Sequence, residues 1–248
     1  MPEIIIAPSI LSADMTRLGE EVQKVVSAGA DWIHFDVMDG HFVPLISYGD
    51  IVLKALHIVT NRTIDAHLMV QNPEKQVLAY CKAGADYVTV HAETTKELYP
   101  VLKRIKNYQE VDVNSGKVRK VKTGVALNPE TCRSKISKSL IRDGLVDMVL
   151  QMTVNPGLGG QDFIPGALDN VRYFREEFPD LDIQVDGGIV YKGKGIELPL
   201  EQTTAYLAAR AGANIIVAGS AVFKEANYSV AIAKIRAATE LGKEHQKN

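Results

Sequence analysis

His34 and Asp36 stand two residues apart in DWIHFDVMDG (31–40), a run that is otherwise largely apolar. In an extended strand, side chains alternate sides, so Trp32, His34, Asp36 and Met38 share one face while Ile33, Phe35 and Val37 share the other. A buried carboxylate must be paired, hydrogen-bonded or metal-bound. His67 in AHLMV and Asp186 in VDGG lie at the ends of two other strand-like runs. Two imidazoles and two carboxylates form a divalent-metal set that zinc, manganese or iron(II) would accept, with room left for substrate oxygens. Such a metal polarises a carbonyl and stabilises an enediolate. One carboxylate could then remove the adjacent carbon-bound proton, and a second on the opposite face could return it. The set exists only if the fold gathers these strand ends, and the residues alone leave hydrolysis, aldol cleavage and isomerisation open.

A second group of residues suits an anion. TVNPGLGGQDFIPG (153–166) follows one strand, DGG follows the next and VAGSAVF (217–223) ends the last. Gly159, Gly160, Gly188, Gly219 and Ser220 could bring backbone amides close to a phosphate. The GKS/T ending of a Walker A loop is absent, as is the dinucleotide fingerprint. Met38, Met69 and Met152 fall beside strand ends and could wall the reaction centre from water. Asp14 precedes a helical pattern and reads as a cap, while His41 and His91 could support the central groups.

The elements that must position these residues recur along the chain. SAGADWIHFDVMDG (27–40), KAGADYVTVHAE (82–93) and RAGANIIVAGSAVF (210–223) each read as a helix end, a glycine cap and a β-branched strand. Strands are expected at 4–10, 32–38, 64–70, 86–91, 122–127, 146–153, 182–187 and 214–219. Helical patterns include 14–28, 73–83, 166–177, 203–212 and a closing helix over 228–241. Eight strands alternating with helices predict a (β/α)8 TIM barrel, whose site lies at the C-terminal strand ends. One domain over 1–248 is expected, with a hairpin insertion around 106–122 and a long connection over 189–202 that brings Lys192 and Lys194 near the phosphate end.

Composition narrows the function class. The 248 residues are 46% apolar and 23% charged with formal net charge −2, which gives no reason to expect nucleic acid as a partner. No apolar run is long enough to suggest a membrane span, and MPEIIIAPSIL lacks a secretory pattern. Cys81 and Cys132 imply no disulfide framework. A cytoplasmic protein is expected.

IAPSILSAD (6–14), HFDVMDGHFVP (34–44), AHLMV (66–70), MTVNPGLGGQDF (152–163), VDGGI (185–189) and VAGSAVF (217–223) together resemble the ribulose-phosphate 3-epimerase family, in the family's order and over essentially the whole chain. The resemblance implies metal-dependent interconversion of D-ribulose 5-phosphate and D-xylulose 5-phosphate at C3. It implies one divalent ion per subunit, zinc first with iron(II) or manganese as alternatives, held by His34, Asp36, His67 and Asp186, the two aspartates also serving as acid and base. Ser9 and His67 would meet the substrate, the glycine-rich loop with Gly157, Gly159 and Gly160 would clamp its phosphate, and Met38, Met69 and Met152 would shield the centre. A homo-oligomer, dimer or larger, is expected. The chain departs from the pattern at Leu45, where asparagine is usual, and at Leu158, where phenylalanine is usual. A 3-epimerase for another ketose phosphate such as allulose 6-phosphate, a related barrel lyase or decarboxylase, and a non-catalytic ligand sensor are the competing readings. A lyase should expose a central lysine, and none is convincing in the sequence.

Overall fold

The computed structural model describes residues 2–111, 118–193 and 195–246. Eight parallel strands run β1 Ile5–Pro8, β2 Trp32–Met38, β3 Thr63–Met69, β4 Tyr87–His91, β5 Lys122–Leu127, β6 Met148–Met152, β7 Asp182–Asp186 and β8 Ile215–Ala218. From β2 onward each pairs with the next in chain order, and β8 pairs with β1. A lone parallel bridge from Ser9 to His34 joins the remaining seam between β1 and β2. Helices follow the strands, among them α1 Leu18–Ser27, α2 Asp50–Val59, α3 Val77–Ala83, α4 Leu98–Lys106, α5 Lys138–Arg142, α6 Leu168–Glu177 and α7 Thr204–Ala211. A four-residue α8, Ser220–Phe223, follows β8, and α9, Tyr228–His245, ends the fold. This is the expected (β/α)8 barrel.

The alternation within β2 sets the two core layers. Ile33, Phe35 and Val37 point outward and are buried with Val22, Val25, Leu53 and Leu56 from α1 and α2. The opposite face puts His34, Asp36 and Met38 inside the barrel. Lower in the interior, Ala7, Tyr87, Met148, Ile215 and Val217 form an apolar plug, with Trp32 packed on Tyr87 at 4.7 Å between ring centroids. The plug closes one end, so polar chemistry is confined to the other. The helix-end glycines of the three recurring fragments, Gly29, Gly84 and Gly212, all have positive φ (102°, 110° and 122°), the backbone region that glycine enters without steric cost.

Two excursions leave the barrel. Gln109–Val111 pairs antiparallel with Val118–Lys120, although the Asn-Ser-Gly turn lies outside the described residues. The hairpin is tied down by Arg119, which donates to Cys81 O and Ala85 O at the end of α3. The long connection after β7 carries a short antiparallel pair, Lys192–Gly193 with Ile196–Glu197. Lys192 Nζ lies 2.6 Å from Glu225 Oε2, so its charge is taken up at the rim rather than facing an anion site. Lys194 lies outside the described residues.

One glycine fits the barrel interior closely. A Cβ on Gly124 of β5 would lie 2.1 Å from Thr89 Oγ1 on β4. Gly124→Ala therefore forces Thr89 out of its place, at a cost of about 1–3 kcal/mol for overpacking a closed core. Denaturant unfolding reads that loss; an unchanged midpoint would mean that Thr89 moves freely.

Candidate active site

The interior face of the sheet assembles the predicted metal set by register. Asp36 on β2 is level with His67 on β3, and His34 is level with Asp65 one layer below. Asp186 ends β7, across the barrel with β1 and β8 between it and β2. One ligand atom each from His34, Asp36, His67 and Asp186 lies within 4.8 Å of the others. His34 Nε2 is 3.2 Å from Asp36 Oδ1 and 3.6 Å from Asp186 Oδ2. His67 Nδ1 is 3.0 Å and 3.6 Å from the same two oxygens. The histidines thus offer different ring nitrogens to one point. The donor set fits a metal on chemical grounds: two nitrogens and two carboxylates converge, nearly dry, from three strands.

Electrostatics say the same. Burial by itself would raise Asp36, but His34 and His67 outweigh it and hold the carboxyl well below the usual carboxylate range. Asp186 is raised by burial and by the Asp36 charge, yet its contacts with both histidines leave it lowered overall. Burial would lower His34, but the charges of Asp36 and Asp65 push it well above the ordinary imidazole value. His67 is likewise raised, burial being overcome by Asp186 and Asp36. Both raised values favour protons on the imidazoles, which offset carboxylate charge that a cation would otherwise meet.

Around this cluster stand His91 and four groups that the sequence reading did not single out, Asp65, Thr89, Gln184 and Glu93. Asp65, fully buried, accepts from His34 Nδ1 at 2.8 Å, Gln184 Nε2 at 2.7 Å and Thr89 Oγ1 at 3.3 Å. His67 Nε2 lies 2.9 Å from His91 Nε2, and His91 Nδ1 lies 3.2 Å from Glu93 Oε2. Burial pushes His91 down to about 4 despite its bond to Glu93. Burial opposes ionisation of Glu93, but His91 overrides it and brings the carboxyl down to about 2. Neutral His91 with Nδ1–H toward the Glu93 carboxylate leaves Nε2 as an acceptor, so His67 donates to it. His91 therefore stands where it could support the central groups. His41 does not: its side chain is 71% exposed, beside Asp39. Asp14 caps the turn Met15–Arg17 as expected, accepting from Thr16 N at 3.0 Å.

A cavity of about 190 Å³ opens on the two aspartates. Ser9 lines it and donates to Asp36 Oδ2 at 2.5 Å. Met38, Met69 and Met152 supply apolar wall, all nearly fully buried. Gly157, Gly159, Gly160, Gly188, Gly219 and Ser220 complete the side away from the metal set. Gly188 has φ +66°, and a Cβ there would lie 2.7 Å from Phe163 Cα, while one on Gly219 would lie 2.6 Å from Ser12 Oγ. Both loops thus need glycine to approach so closely. Among the described residues no lysine or arginine lines the cavity, so an anion here would depend on backbone amides and uncharged side chains such as Ser12 and Ser220. Leu158 lines the cavity whereas Leu45 does not, and His34 and His67 are buried behind the carboxylates rather than lining it. Thr153 Oγ1 donates to Asp186 O at 3.0 Å and Gly187 O at 2.6 Å, fixing the turn that presents Asp186.

The model of the ribulose-phosphate 3 epimerase family matches residues 5–223, which carry every residue of this site. The chain belongs to that family. It is 44% identical over 239 residues to a ribulose-phosphate 3-epimerase of a Synechocystis species, covering 94% of this chain and 93% of that protein. It is 42% identical over 238 residues to the Bacillus subtilis ribulose-phosphate 3-epimerase, covering 94% and 98%. Among solved structures, 3-hexulose-6-phosphate synthase from Salmonella typhimurium superposes with a TM-score of 0.64 at 18% identity, over 98% of this chain and all of that one, and shares the barrel. Membership makes this an epimerase-family chain on an enzyme fold. No helix among the described residues is long and apolar enough to cross a membrane.

Proposed function

We propose that the chain interconverts D-ribulose 5-phosphate and D-xylulose 5-phosphate by moving the C3 proton between two carboxylates. The observation that carries this reading is the meeting of Asp36 and Asp186, from β2 and β7, at the floor of one cavity. An epimerase needs a base on one face of the carbon and an acid on the other, and separate strands can supply them. His34, Asp36, His67 and Asp186 would hold one divalent ion, zinc first, with iron(II) or manganese as alternatives. When bound, the ion supplies Lewis-acid polarisation of the C2 carbonyl, which acidifies the neighbouring C–H bond.

The chain's own groups do the rest. One aspartate takes the C3 proton, leaving an enediolate, and the other returns a proton from the far side, inverting the centre. Ser9 fixes Asp36 through its short hydrogen bond. The methionines exclude water while offering no competing proton. The glycine loops would hold the phosphate away from the reacting carbon. We take residues 1–248 as one such barrel domain, acting in the cytoplasm, where the unpaired Cys81 and Cys132 would stay reduced. Exposed Ile46, ahead of α2, and Ile51, on it, provide apolar area for a homo-oligomer.

Turnover of ribulose 5-phosphate in heavy water by metal-loaded protein tests the reading. Xylulose 5-phosphate should form with solvent deuterium at C3. Absence of both product and exchange would sink it, and activity on allulose 6-phosphate instead would reassign the substrate.

A further inference from the structure

The two candidate ligand histidines are held in different ways. His34 gives Nε2 to the cluster and turns Nδ1 to the buried carboxylate of Asp65. His67 gives Nδ1 and turns Nε2 to His91, itself backed by Glu93. Asp65 sits on β3 yet gathers β2 through His34, β4 through Thr89 and, from across the barrel, β7 through Gln184. All four side chains are fully buried, so none has water as an alternative partner.

An imidazole can ligate only through a nitrogen that carries no proton, so a fixed acceptor on the other nitrogen selects the binding form. Asp65 accepts, which keeps the neutral ring's proton on Nδ1 and leaves the Nε2 lone pair facing the cluster. A carboxylate partner also makes the ring a stronger donor than a neutral one would. Gln184 adds orientation: its amide donates to the oxygen that His34 uses, Asp65 Oδ2.

We infer that Asp65 is a positioning residue that selects the metal-binding tautomer of His34, and that it does so more strongly than the His91–Glu93 pair does for His67. This inference rests on His34 and His67 being metal ligands, as proposed above.

The test is zinc affinity of the full-length protein, measured by competition with a chromophoric chelator, alongside ring-nitrogen NMR shifts of the metal-free state at a pH where His34 is neutral. Wild type first establishes that zinc binds and that His34→Ala weakens it; failure there removes the metal reading and this inference with it. Asp65→Asn is nearly isosteric: its amide oxygen can still accept from His34 while its NH2 faces Thr89. Asp65→Ala removes the acceptor. Second-contact changes of this kind cost about 10–100-fold in metal affinity. Asp65→Ala should reach the upper part of that range with the His34 proton redistributed between its nitrogens. Asp65→Asn should show a smaller loss with the proton retained on Nδ1, and Glu93→Gln a smaller loss still. If Asp65→Ala does not fold, Asp65→Asn against Glu93→Gln decides. Zinc affinity within twofold of wild type in the folded Asp65 variants would overturn the proposal. So would an unmoved His34 proton in Asp65→Ala, or a larger loss in Glu93→Gln than in Asp65→Asn.

Discussion

Replacing either aspartate by asparagine, Asp36→Asn or Asp186→Asn, should lower turnover of ribulose 5-phosphate by about 10²–10⁴-fold, the usual worth of a positioned acid or base. The more telling result is one-sided exchange. With a base left on a single face, a variant that still holds metal should wash solvent deuterium into C3 of one epimer without converting it to the other. The two variants should choose opposite epimers, because Asp36 and Asp186 come from strands with β1 and β8 between them. Mass spectrometry of recovered substrate, with metal content measured on the same sample, separates this from loss of the ion. Loss of exchange from both epimers in a metal-replete variant would point to a single base serving both directions.

Metal affinity should rise steeply with pH. Both His34 and His67 are held above the ordinary imidazole value in the metal-free protein, and a ligating nitrogen must first lose its proton. Below those raised values each histidine proton displaced makes the affinity about tenfold weaker per pH unit lowered, so two displaced protons give about a hundredfold. Above them the dependence flattens. The same shifts act on stability in the opposite direction. A histidine raised by folding stabilises the metal-free protein fully below its unfolded value, and that contribution is lost as pH rises through the folded value. Metal then replaces the missing charge. Calorimetric titration in two buffers of different ionisation enthalpy counts the released protons; zero release with pH-independent affinity would show that these histidines are not the ligands.

The barrel was legible because its strands alternate so plainly: in β2 the odd residues Ile33, Phe35 and Val37 are apolar and the even ones carry the chemistry. Strand ends shifted by a residue or two, as at β1, seen at 5–8 against 4–10 expected, because the residues beyond Pro8 leave the ladder to form a turn capped by Ser9. The four central candidate ligands could be read from the same alternation. Their supports could have been found one step further along it. Asp65 precedes His67 by two residues, Gln184 precedes Asp186 by two and Thr89 precedes His91 by two, each on the shared interior face. Glu93 was hidden for another reason: it lies past the end of β4, where alternation no longer says which way a side chain points. Lys192 illustrates the limit of proximity in sequence. The sequence places it near the phosphate end, but Glu225, 33 residues later, holds its charge.

The charge of the cavity has a further consequence. Its ionisable lining is acidic, from Asp36, Asp162 and Asp186, with no lysine or arginine among the described residues to offset them. Once His34 and His67 have lost their extra protons, a sugar phosphate entering the metal-free protein would move against that field, and like charges in a poorly screened site repel strongly. A cation there would offset part of that charge. Linkage makes the relation reciprocal: whatever factor the ion adds to sugar-phosphate affinity, the sugar phosphate adds to retention of the ion. The two ligands are then cooperative partners, and a protein at work would bind its metal more tightly than one at rest.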